Sequence, residues 1–142
     1  MRTHVTFRFA AEFVGAQEDE GILGVRGVSW FTDRLTRVPR LALSPKLIQE
    51  DWGVAFLAER DGSKFWIGLS VFEDGVWIAH IHNSRASWLR GLFGVGPRNF
   101  SALAGDLNHV LAADALVSDI RWYNKDDLKR MPPTWKPNPA DA

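Results

Sequence analysis

The sequence predicts an α+β fold: a two-layer sandwich in which helices pack on a mostly antiparallel sheet with a central three-stranded meander. Three observations predict it. Apolar and polar residues alternate at Val5, Phe7 and Phe9, and again through residues 53–82, the period of a strand with one buried face. Two Asp-Gly pairs, Asp61-Gly62 and Asp74-Gly75, separate the later alternating segments and read as hairpin turns. Phe100, Leu103, Leu107, Val110 and Leu111 follow the helical period instead.

Taken in order, residues 3–9 form the first strand. Residues 10–28 carry Glu18-Asp19-Glu20 and four glycines, Gly15, Gly21, Gly24 and Gly27, which argue against a long helix. Ser29 opens a short helix that ends before Val38-Pro39, because the residue ahead of a proline is steered out of helical geometry. Ser44-Pro45 supplies a cap and a first-turn proline for a second short helix through Glu50. Strands follow at 53–60, 64–72 and 76–82, and two-residue loops at both Asp-Gly pairs set Glu59 opposite Lys64 and Phe56 opposite Ile67. Asn99 caps a helix over 100–114, and Val117, Ile120 and Trp122 mark a last strand ending near Tyr123. Residues 1–130 read as one domain, and 131–142 as an extended tail with four prolines between Met131 and Pro139.

Composition narrows the function classes. The 142 residues are 46% hydrophobic and 24% charged, the proportions of a folded domain large enough for a core without disulfides or a structural metal. Seventeen Lys and Arg balance seventeen Asp and Glu, which removes the broad basic field of a generic nucleic-acid binder. The absence of cysteine excludes a thiol nucleophile and a thiolate metal site, and fits a reducing compartment. No run approaches the roughly eighteen apolar residues of a membrane-spanning helix, and the N-terminus alternates rather than forming a signal region, so a cytoplasmic protein is expected.

The strings Glu50-Asp51-Trp52-Gly53, Lys64-Phe65-Trp66-Ile67-Gly68 and Asp119-Ile120-Arg121-Trp122 resemble those of small uncharacterised bacterial α+β proteins with this strand order. More loosely, the chain resembles the immunity proteins with which bacteria neutralise toxins. The likeness spans the last two thirds of the sequence and implies no activity and no particular functional residue.

The expected register sorts the strands into two faces. Trp52, Val54, Phe56, Ala58, Phe65, Ile67, Leu69, Val71, Val76 and Ile78 share one face, which ends at His80 and His82 and which helix 100–114 is expected to cover. On the other, small residues lie centrally with aromatics around them, giving a candidate binding groove of Trp66, Gly68, Ser70, Phe72 and Trp77. Its alternative reading is a second core layer covered by residues 10–48.

Two further constellations carry chemistry. His80 and His82, two apart on a strand, point to one side and are candidate metal ligands, but His4 sits on the polar face of the first strand and His109 on the solvent side of the helix. Hydrogen-bonded boundary histidines are the alternative. Between Gly75 and Gly105 there is no acid, while Arg85, Arg90 and Arg98 are interleaved with Trp88, Leu92 and Phe93, a candidate surface for an anionic partner. The alternative is a short helix docked by its apolar residues, with solvated arginines. No catalytic triad, nucleophile elbow or phosphate loop is present, so no catalytic residue and no cofactor are assigned. The expected function is a non-enzymatic intracellular protein-interaction module, immunity-type or homo-oligomeric. Its alternatives are a metal-dependent hydrolase using His80 and His82, and a nucleic-acid or anionic-surface binder through segment 76–105.

Overall fold

Antiparallel pairing organises the chain. In a computed structural model that describes residues 2–10, 25–71, 76–83 and 96–124, the elements are β1 (His4–Phe9), α1 (Val25–Thr36), β2 (Leu41–Leu43), β3 (Ile48–Glu50), β4 (Gly53–Arg60), β5 (Ser63–Val71), β6 (Val76–Asn83), α2 (Gly96–Ala112) and β7 (Val117–Tyr123). The strands form one seven-stranded sheet in the order β2-β4-β5-β6-β1-β7, with β3 also paired to β4. The fold is mixed α+β with the sheet dominant.

The sequence signals explain most of these elements. Val5, Phe7 and Phe9 are buried as their alternation requires, and β1 inserts between β6 and β7. Asp61 and Gly62 have φ of 48° and 80°, the left-handed pair that a tight hairpin demands, and the β4–β5 register sets Phe56 against Ile67 and Glu59 against Lys64. Phe31 of α1 packs on Phe7 and Phe56, with ring centroids 6.1 and 6.5 Å apart, while Phe100 of α2 meets Phe65 at 6.1 Å. Both helices therefore bury their apolar stripes against the same sheet face. Arg60 of β4 pairs with Asp106 of α2, and Arg34 of α1 with Asp114 at 3.0 Å, which ties the helices at their polar margins.

Four expectations are corrected. Residues 45–50 are not helical: β2 and β3 both pair with β4, and the Ser44 N–H donates to the Leu57 carbonyl at 2.8 Å. Satisfying the exposed ladder of β4 outweighs the local cap signal of Ser44-Pro45. α1 begins at Val25, ahead of Ser29, and takes in Gly27, where a Cβ would collide with the Trp77 ring. The glycine that reads as a helix breaker is a packing contact. α2 begins at Gly96, with Pro97 in its first turn, so Asn99 is not the cap; its side-chain amide donates to Ser63 Oγ at 2.6 Å.

The fourth correction matters most. In the β5–β6 ladder Val71 faces Trp77, Leu69 faces Ala79 and Ile67 faces Ile81, one residue out of step with a two-residue loop at Asp74-Gly75. Because side chains alternate with a period of two, this shift reverses the whole of β6. Trp77, Ala79 and Ile81 join Phe56 in the core, and Val76, Ile78, His80 and His82 turn to the opposite face. Trp77 is only 6% exposed, stacked on Phe7 and set edge-on to Phe9.

Candidate functional site

The sheet face away from the helices carries a straight cross-strand row: Ile48 pairs with Ala55, Ala55 with Gly68, Gly68 with His80, and His80 with His4. Beside it runs a second row of Leu57, Trp66 and His82. Small residues at the centre of the first row leave a half-open depression of about 350 Å³ above Ala55 and Gly68. Trp66 stands on one side of it. Trp52 stands on another, because the β3–β4 register pairs Glu50 with Gly53 and makes Asp51-Trp52 a two-residue turn. Trp52 is therefore outside the helix-covered face on which its position ahead of Val54 places it, and is 45% exposed. Ile48, Glu50, His80 and His82 complete the lining.

Gly68 permits this geometry. A Cβ at that position would overlap the His80 imidazole and lie 2.7 Å from Cη2 of Trp52, so only a glycine lets both rings settle onto the strand.

The histidines converge as the sequence did not foresee. His4 joins His80 and His82, with ring centroids 5.8 Å (His4–His80), 6.2 Å (His4–His82) and 4.7 Å (His80–His82) apart. Thr3 Oγ1 lies 2.7 Å from His4 Nδ1, and the His80 ring is 4.9 Å from Trp52. Burial pushes the His80 pKa down to about 4, and repulsion from His82 and His4 adds to the shift. His80 is thus neutral at neutral pH, an uncharged ring against an aromatic wall. Among the described residues, no group of three or more His, Asp or Glu side chains is arranged to hold a metal ion.

Of the expected groove, Trp66, Gly68 and Ser70 share this face, whereas Trp77 is in the core. Phe72 lies outside the described residues, as do Arg85, Trp88 and Arg90; Arg98 falls within α2. His109 is exposed on α2, as expected. The sequence reading missed Trp52, Glu50, Ile48 and His4 as members of the site. A signal for the β6 orientation was present: Trp77, Ala79 and Ile81 form an unbroken apolar set, while the alternate set runs into two histidines. No helix among the described residues is long and apolar enough to cross a membrane. Comparison with protein-family models, curated proteins and solved structures finds no match to this chain.

Proposed function

We propose that this chain is a non-enzymatic protein-interaction module with a two-layer build, helices on one side of the sheet and the partner protein on the other. The observation that carries this reading is the depression between Trp52 and Trp66 over Gly68, on the face away from both helices. Tryptophans beside a recess are the side chains that dominate binding energy at protein interfaces. The sheet edges favour face-on over edge-on association. On one side two three-residue strands, β2 and β3, divide the edge between them, and at the other β7 is bent by Asp119 at φ 56° and by a register shift against β1. Zero net charge removes one source of repulsion between like chains, so a second copy is among the partners to test.

The test compares wild type with the Trp52→Ser/Trp66→Ser double variant and with Ser101→Ala, an exposed control on α2. Sedimentation velocity reads self-association, and affinity capture from source cells reads other partners. Loss of the complex in the double variant alone, with its melting temperature lowered by only about 5 °C and the chain still folded, is the expected result. A complex that survives the double substitution removes this face from the reading.

A further inference from the structure

We propose that the depression between Trp52 and Trp66 receives an alkylated ammonium group, the head of a methylated lysine-type side chain on the partner protein. This deepens the reading above and rests on it. Two indoles line the recess, and the negative face of an indole attracts a cation more strongly than that of any other side chain. Glu50 also lines it, and among the described residues no lysine or arginine does, so an entering cation meets a carboxylate. His80 adds no charge, being held neutral by burial and by its histidine neighbours.

The lining also selects among cations. A bare ammonium brings three N–H donors, and a guanidinium five, each of which needs an acceptor when removed from water. Among the described lining residues the side-chain acceptors are the Glu50 carboxylate and imidazole nitrogen, and the rest of the surface is indole, aliphatic side chain and glycine, so an N–H cation finds few partners for its donors. A quaternary ammonium carries no N–H, is weakly hydrated and makes apolar contacts through its methyl groups, so it loses least on entering. The small side chain of Ala55 and the low seating of His80 and Trp52 on Gly68 give depth, and the volume of about 350 Å³ admits the head with part of its alkyl stem.

Choline serves as the probe, set against 3,3-dimethylbutan-1-ol, its neutral twin in shape, and against butylammonium, the unmethylated cation. Binding is read from tryptophan fluorescence and indole NMR shifts on the full chain. Choline is expected to bind with a Kd of about 1 mM, and both comparison compounds about tenfold more weakly. Trp66→Ala should abolish saturation and Glu50→Gln should weaken choline by about threefold. Trp52→Ala, at an exposed turn, gives the same loss without a folding defect. The inference falls if the neutral twin binds as well as choline, if butylammonium does, or if choline shows no saturation by about 0.1 M. If choline fails to bind while Trp52→Ser/Trp66→Ser still abolishes association, this inference falls and the interaction reading stands; if choline binds but the double variant still associates with its partner, the interaction reading falls and the partner-borne occupant with it, so the two failures are distinguishable.

Discussion

Gly68 faces His80 directly across the β5–β6 ladder, and the imidazole occupies the space in which any larger residue at 68 would place its Cβ. The depression, the orientation of His80 and the seat of Trp52 therefore depend on one missing methyl group. Gly68→Ala is expected to displace His80 and Trp52 and to fill the recess, shifting the Trp52 indole resonance and removing ligand-induced quenching. Its stability should change by no more than about 1–2 kcal/mol, since the displaced rings lie at a half-open surface. An unchanged indole spectrum would show that the recess is not built on Gly68.

Trp77 and Trp66 should behave as opposites. Trp77 is buried among Phe7, Phe9 and Gly27, so Trp77→Ser should cost about 3–5 kcal/mol in chemical denaturation, matching Phe56→Ala. Trp66 is half-buried beside the recess, and Trp66→Ser should cost about 1 kcal/mol. Equal losses at the two sites would contradict the observed β6 register.

The lowered pKa of His80 makes stability depend on pH. The unfolded chain binds a proton at His80 below its ordinary value of 6.5, whereas the folded chain resists protonation down to about 4. The neutral-His80 contribution is therefore complete above pH 6.5 and is progressively lost as pH falls toward 4. His80→Gln, polar but without this titration, should flatten that part of the stability profile measured by urea unfolding at stepped pH. A variant profile parallel to wild type between those limits would place the pH dependence elsewhere.

Arg60 and Asp106 form the ion pair that joins β4 to α2, with side chains 13% and 17% exposed. Asp106→Ala leaves the guanidinium in a largely dry position with Asp61, 2.8 Å away, as its remaining carboxylate partner. The expected loss is about 1–3 kcal/mol, less than for a fully enclosed pair because Asp61 still compensates. The Asp106→Ala/Arg60→Met double variant should recover part of it, and a double variant weaker than the single would show that Arg60 serves another contact.

Local chemistry determined much of this protein without reference to the rest of the chain. The alternation in β1, the Asp61-Gly62 turn with its β4–β5 register, and the apolar stripe of α2 all follow from short-range rules, because backbone geometry and the 2.0 and 3.6 periods act within a few residues. The tertiary structure decided what those rules leave degenerate. Val76 and Ile78 are as apolar as Trp77 and Ala79, so β6 tolerates either orientation over its first turns of pleat, and packing of Trp77 against Phe7, Phe9 and Gly27 selects one. The same selection carries His80 and His82 to the face that holds His4, Trp52 and Trp66. Likewise, the segment around Ser44-Pro45 carries a helix cap but lies beside an open strand edge, and the ladder hydrogen bonds of β4 prevail. Residues 4, 52, 66 and 80 are far apart in sequence, so their meeting depends on strand order, which no local pattern encodes, and on a single register step, which the apolar set of Trp77, Ala79 and Ile81 favours but only packing fixes.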